Sequence, residues 1–548
     1  MSAVESPSSE RRQFLRATAV VSAFTLLSRG LGVVRDAVIA ARLGAGAMSD
    51  IFNIAFEIPH LARRVLGEGA LSAFIVPVYS EVRQKLGDER AWAFVSNALN
   101  ILALLTFLMT VAGMLGAKYL FLAFGGFGFF LGGETELLAM GAAVTRIMFP
   151  YVMLMTLSAL LMGVLHAWRR FTMPALGSII LNCAMIFAGL VFRSDERGFV
   201  FILAWAVVAG GVLRTLVLVP DLARLGFRWR ARFVPGSGPM RRLFAMMGPA
   251  LLGVFVVQLN ISVDLNFATS LDKGVATFLR YSNRLIQFPL AIIAASLSTA
   301  ILPSLTGHLL RGERADLARL MTFAVRLTLF LFVPATAGLL ALGQPLIRVI
   351  LERGRWSEAM SDGAFLALAF YALGLVPLAL QRILTPLYYA RQDVWTPFWA
   401  SVWAIATNIV LNFILMRTPL RHGGLALATS IAAGVNVWLL ARRLKGEIGG
   451  LIGPAVWETA VKATVAAVLM GGVCLGVQRW IVQPLLGGSH WSLSAGTMAN
   501  VVLGAGLFGV FAAVLGMTEL SAARRILLAR RRSAADRNGP APEQPPEP

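Results

Sequence analysis

Glu57-Ile58-Pro59-His60-Leu61-Ala62-Arg63-Arg64-Val65-Leu66-Gly67-Glu68-Gly69-Ala70 sits inside an apolar segment that runs from about 49 to 82. The segment is long enough to cross a hydrocarbon core, which takes about 20 residues, yet it holds arginines, glutamates and a histidine. Glu57, His60, Arg64 and Glu68 follow a 3-4-4 spacing, so a helix carries them as one stripe with Arg63 at its edge. Pro59 removes a backbone donor within that stripe and should kink or interrupt the helix, leaving carbonyls that need polar surroundings. A helix of this kind cannot face lipid, so it must pack in a membrane bundle around a polar interior.

The remaining sequence agrees. Of 548 residues, 57% are hydrophobic and only 14% charged, with a mean hydropathy of +0.73, which excludes an ordinary water-soluble fold. About fourteen apolar spans can be drawn: 15–43, 49–82, 91–121, 138–165, 172–192, 198–220, 241–271, 275–308, 320–347, 363–388, 394–416, 423–441, 457–482 and 496–517. The fold class is therefore an all-α polytopic membrane protein.

The formal charge of +21 could suggest a nucleic-acid partner, but its distribution argues against one. With a cytoplasmic N-terminus, the even-numbered connections and both tails hold most of the Lys and Arg, including Arg224, Arg228, Arg230, Arg232, Arg241 and Arg242 in or beside one loop. This obeys the positive-inside rule for an even number of spans, with both ends in the cytoplasm. Glu10-Arg11-Arg12-Gln13-Phe14-Leu15-Arg16 resembles a twin-arginine export signal. However, the apolar stretch behind it runs into Ser28-Arg29 and Arg35-Asp36 without a small-residue cleavage site, so these arginines read as a cytoplasmic anchor. Cys183 and Cys474 fall inside apolar spans and read as small packed hydrophobes. The Pro-, Ala- and Glu-rich end beyond Arg530 reads as a disordered tail.

Two stretches share a layout: His166-Ala167-Trp168-Arg169-Arg170-Phe171-Thr172-Met173-Pro174 and Tyr389-Ala390-Arg391-Gln392-Asp393-Val394-Trp395-Thr396-Pro397. Each closes one span and opens the next, and six spans separate them. An even offset gives parallel repeats about an axis along the membrane normal, an arrangement of secondary transporters that places substrate between the lobes. The domains expected are an N-terminal segment 1–14, an N-lobe 15–220, a basic loop 221–240, a C-lobe 241–441, two further helices over 442–520, and a tail 521–548.

Other spans also carry charge. Asp36 follows Arg29 by seven residues on one helical face, and Arg280, Arg284 and Gln287 form a polar stripe before Pro289. Each arginine at bilayer depth costs about 2.5–3.5 kcal/mol on insertion scales, so these side chains must line protein or water. The acidic residues Asp36, Asp50, Glu57 and Glu68 could balance the arginines of the first two spans, whereas Arg280 and Arg284 have no acid in their own span. A net positive cavity would suit an anion, since the arginine fork matches phosphate oxygens in pairs. A pyrophosphate-linked lipid fits that chemistry.

At these residues the chain resembles the lipid II flippase (MurJ, or MviN) family of the multidrug/oligosaccharidyl-lipid/polysaccharide exporter superfamily. The resemblance rests on Ser28-Arg29 to Asp36, Gly44-Ala45-Gly46 with Asp50, Arg63 to Ser72 with Pro77, Arg284 to Pro289, and Arg391 to Pro397, and it spans about 15–520. It implies two six-helix lobes forming a V with two extra helices. It also implies a transporter, not an enzyme, that carries undecaprenyl-pyrophosphoryl disaccharide-pentapeptide (lipid II) to the outer leaflet of the bacterial cytoplasmic membrane for peptidoglycan synthesis.

By position, Arg29, Arg35, Arg63 and Arg284 resemble the family's cavity arginines. Asp36, Asp50, Arg64 and Glu68 resemble gating or charge-pair positions, with Arg64 expected to pair with Glu57 or Glu68. The sequence departs from the family at Glu57 and His60, where Lys and Asn are expected. Some members bind sodium, and the matching oxygen-bearing positions are Asp264, Asn408, Asn412 and Thr429. No other cofactor is implied, coupling to Na+, H+ or membrane potential stays open, and the expected partners are lipid II, membrane lipids, and cell-wall synthesis and division proteins. A drug exporter would favour acidic residues in the first lobe, and a membrane enzyme would need paired carboxylates or a metal motif near a loop; neither pattern is found.

Overall fold

The computed structural model describes residues 7–62, 70–448 and 453–521, and among these the chain is helical without strands. The helices are α1 (Pro7–Leu43), α2 (Ala47–Ala62), α3 (Ala70–Leu115), α4 (Thr135–Met148), α5 (Pro150–Ala167), α6 (Thr172–Val191), α7 (Glu196–Leu216), α8 (Gly238–Thr269) and α9 (Val275–Pro289). They continue as α10 (Ala295–Leu310), α11 (Arg314–Leu351), α12 (Glu358–Leu373), α13 (Leu375–Ala390), α14 (Trp395–Leu415), α15 (His422–Ile448), α16 (Pro454–Val477) and α17 (His490–Val514). Short helical turns fill Ala117–Leu131. Among the described residues, nine helical stretches are long and apolar enough to cross a membrane, and α12–α13, bent by 44°, makes a tenth.

The turn expected between the second and third spans falls at Gly87, inside the run Ala70–Leu115. α2 is described to Ala62, and α3 consists of two helices that meet at Gly87, between the expected spans 49–82 and 91–121. At φ 82° and ψ 170° Gly87 leaves the helical conformation and turns the chain between the two helices, a backbone that favours glycine.

Contacts divide the chain into two compact units. One comprises Met1–Tyr281, Ile350–Ala364 and Ile409–Leu425; the other comprises Ser282–Val349, Phe365–Asn408 and Ala426–Pro548. In the first, Ile51, Ile54, Phe121, Met148, Tyr151, Phe199 and Val207 build one core, and Leu71, Ile75, Tyr79, Val95, Leu160 and Val164 build a second. In the other, Met321, Leu327, Leu387, Leu440, Ala463 and Ala512 form the core. There Glu519, only 3% exposed, accepts from Arg326 Nε at 2.7 Å and from Thr459 Oγ1 at 2.7 Å, fastening α16 to α11.

The outer faces are apolar too. Leu104, Leu105, Phe107 and Leu108 on α3, Trp399, Trp403, Val410 and Phe413 on α14, and Val502, Val510 and Val514 on α17 are exposed. Apolar surface this continuous calls for lipid as solvent. Cys474 is buried as expected, but Cys183 is exposed, because it lies on the outward face of α6.

The repeat is visible in the backbone. Arg169 and Gln392, 223 residues apart, are both non-glycine residues at positive φ, 56° and 60°. The two loops repeat one hydrogen-bond pattern: Arg169 N donates to His166 O at 2.9 Å and Gln392 N to Tyr389 O at 3.0 Å. Likewise Arg170 N donates to Leu165 O at 2.9 Å and Asp393 N to Tyr388 O at 3.0 Å. A helix end closed this way satisfies its last carbonyls without solvent.

Candidate functional site

The site is best defined in the first unit, where α1, α2 and the start of α9 supply its polar groups. Arg35 and Asp36 are 8% and 6% exposed. The Arg35 fork grips Asp36 Oδ1 through Nε at 3.0 Å and Nη2 at 2.8 Å, and its Nη1 donates to Asn182 Oδ1 on α6 at 3.0 Å. Asn182 in turn donates to Ser28 O at 3.1 Å. Charge-assisted bonds of this type hold a guanidinium in one orientation at a depth where solvent would not.

Asp50 is fully buried and binds no cation among the described contacts. Its carboxylate accepts from Gly274 N at 2.6 Å, Thr277 N at 2.9 Å and Thr277 Oγ1 at 2.7 Å, so it caps the first turn of α9. Asn53 adds a bond to Thr277 Oγ1 at 2.9 Å. Gly274 sits at φ +94°, and a Cβ there would lie 2.8 Å from Ala45 O, so only glycine fits. The cap fixes the helix that bears Arg280 and, one turn further along, the half-buried Arg284.

Arg280 has an acid that its own span does not supply. Its Nη1 lies 3.3 Å from Glu57 Oε2 and 3.4 Å from Asn53 O, and its guanidinium stands 5.5 Å from the centre of the Phe56 ring. Gln258 also donates to Glu57 at 3.4 Å. Arg35, Asp36, Phe52, Asn53, Phe56 and Arg280 line one cleft of about 10 Å³, room for one water. Its two arginines each have a carboxylate: Arg35 meets Asp36, and Arg280, which has no acid in its own span, meets Glu57 of α2. Glu57→Gln should lower stability by about 1–2 kcal/mol, because a charged partner becomes neutral while the Gln258 bond survives. Unfolding of the purified protein in detergent, compared with wild type, checks this.

Arg29 is half-buried on α1. Arg63, Arg64 and Glu68 lie outside the described residues, so the expected pairing of Arg64 does too. The four candidate sodium ligands fall into two hydrogen-bonded pairs: Asn412 Nδ2 donates to Asp264 Oδ1 at 2.7 Å, and Asn408 Nδ2 donates to Thr429 Oγ1 at 3.2 Å. Sequence reasoning missed Asn182, Gly274, Thr277 and Gln258. A lone Asn in the apolar run of α6 was the one signal that could have marked a partner for an arginine.

A family model described as "Lipid II flippase MurJ" matches residues 39–495. A Burkholderia cenocepacia protein named "Lipid II flippase MurJ" is 32% identical over 476 residues, covering 85% of this chain and 89% of its own. A Vibrio cholerae protein named "Probable lipid II flippase MurJ" is 32% identical over 489 residues, covering 88% and 92%. Among solved structures, "Lipid II flippase MurJ, inward closed conformation" aligns with a TM-score of 0.73 at 22% identity, covering 90% of this chain and 98% of that one. An inward-facing multidrug transporter of the MATE family in the same superfamily aligns at 0.59 and 13% identity, covering 82% and 95%.

Proposed function

The chain belongs to the lipid II flippase MurJ family, and from that premise we propose how its residues serve translocation. It is a transporter, not an enzyme, and it moves lipid II across the membrane for peptidoglycan synthesis. The finer reading is that it works in the bacterial cytoplasmic membrane with both termini in the cytoplasm, lobes 15–220 and 241–441 alternate access, and 442–520 adds two outer helices.

Arg29, Arg35, Arg63 and Arg284 hold the pyrophosphate, with Asp36, Asp50, Arg64 and Glu68 governing their release. The observation that carries this is the Arg35 fork, already set on a carboxylate oxygen at 2.8 and 3.0 Å. A phosphate oxygen presents the same geometry, so the substrate can take over the bonds as the intramolecular partner lets go. Asp264, Asn408, Asn412 and Thr429 offer oxygens to a sodium ion, and either sodium or the membrane potential drives the cycle. Cell-wall synthesis and division proteins would supply and consume the cargo.

Depletion in cells that hold no second flippase tests the reading. Lipid II should stop reaching an external reagent, and Arg284→Ala should not complement; undiminished accessibility after depletion sinks the proposal.

A further inference from the structure

Ahead of α8, residues 227–234 read Phe227-Arg228-Trp229-Arg230-Ala231-Arg232-Phe233-Val234 and form neither helix nor strand. A segment without regular structure usually leaves its backbone groups to water. This one is instead strapped to α3 by side-chain amides. Asn100 Nδ2 donates to Arg230 O at 3.0 Å and to Arg232 O at 2.9 Å, while Asn97 donates to Val234 O at 2.9 Å and accepts from Val234 N at 2.6 Å. Arg230 N donates to Ser96 Oγ at 3.3 Å, and the Phe227 ring packs against Trp92 with centroids 5.5 Å apart.

Strapping the backbone down leaves side chains uncovered. Arg228, Trp229, Arg230, Arg232 and Phe233 are all exposed. Trp229 Nε1 donates to Asn100 Oδ1 at 2.9 Å, which fixes the ring, yet the residue stays 63% exposed. A ring held by its polar end and otherwise bare suits the boundary between hydrocarbon and water. The strap contains no acid, and the carboxylate that reaches it among the described residues is Glu89, 3.2 Å from Arg230. Three arginines less that one carboxylate leave a surplus of two positive charges.

The position on α3 identifies what lies beside the strap. Leu104, Phe107 and Leu108 are exposed apolar residues four, seven and eight positions after Asn100, so they continue the face of the helix that bears it. One helical turn, about 5.4 Å, separates the anchor of the strap from surface that lipid tails cover. The headgroup layer on each side of the hydrocarbon core is of the same depth, roughly 5–7 Å. A strap already held in place also avoids the ordering cost that a loose loop would meet on binding.

We propose that the strap 227–234 is a binding surface for anionic lipid headgroups, with Arg228 and Arg232 meeting phosphates and Trp229 and Phe233 seated at the edge of the hydrocarbon. It shares no residue with the site formed by α1, α2 and α9.

The full chain is reconstituted in nanodiscs of phosphatidylcholine with a rising share of phosphatidylglycerol, and the phosphatidylglycerol retained per protein is counted by native mass spectrometry. Arg228→Gln/Arg232→Gln should weaken retention about tenfold, and Asn100→Ala, which keeps every charge but frees the strap, about threefold. Arg193→Gln/Arg479→Gln, which removes as much charge from exposed positions at other helix ends, should retain the lipid as the wild type does. Far-ultraviolet circular dichroism checks that each variant is folded. No loss in Arg228→Gln/Arg232→Gln, or an equal loss in Arg193→Gln/Arg479→Gln, overturns the proposal. Wild-type retention by Asn100→Ala would mean that charge alone attracts the lipid and that the held strap is no site. An oligoglutamate peptide is titrated in pure phosphatidylcholine nanodiscs as the alternative probe: if the arginines of the strap bind it and are indifferent to phosphatidylglycerol, the partner is a soluble acidic protein and the lipid surface is ruled out.

Discussion

Arg35→Ala is expected to cost about 3–5 kcal/mol, because it breaks a buried ion pair in which the fork donates twice to one Asp36 oxygen. Both side chains are nearly enclosed, at 10% and 8% exposure, so solvent cannot compensate. Arg35→Ala/Asp36→Ala should recover most of that stability, since no lone charge is left behind. Transport should not recover, because the fork that would hold pyrophosphate is gone from both variants. Unfolding in detergent measures the first effect and lipid II accessibility in cells the second. A double variant that transports would show that Arg35 serves only to neutralise Asp36.

Asp50→Ala should be the other severe change, at about 3 kcal/mol, since it strips two backbone N–H groups and a hydroxyl of a buried acceptor. Asp50→Asn keeps one capping oxygen and should cost about 1 kcal/mol, because the two residue types cap helices almost equally well. The comparison is informative. If Asp50 acts by its charge, Asn and Ala should abolish transport alike; if it acts by fixing α9, Asn should retain most activity while Ala loses it. The contacts favour the second outcome, because every bond received by this carboxylate comes from the first residues of that helix or just before it.

Much of the fold was legible because apolar length and charge are local properties. The expected spans at 172–192 and 394–416 coincide with α6 and α14 to within a residue, since each lies between a turn and a charged or polar boundary. The break at Gly87 was legible as well: a glycine among charges reads as a turn, and its backbone leaves the helical conformation there. Within the site, the arginines were legible from their cost in lipid, but their partners were not. Asn182 is 147 residues from Arg35, and Glu57 is 223 residues from Arg280, separations that no periodicity predicts. Asp50 was marked only as an acid at a functional position, because capping a distant helix leaves no trace near residue 50.

The twin turns at Arg169 and Gln392 act as stiff joints. Each holds a non-glycine residue at positive φ and closes its helix with the same pair of backbone bonds, so the joint is set by main chain and not by the side chains it displays. Such a joint keeps its angle when the side chains around it are exchanged.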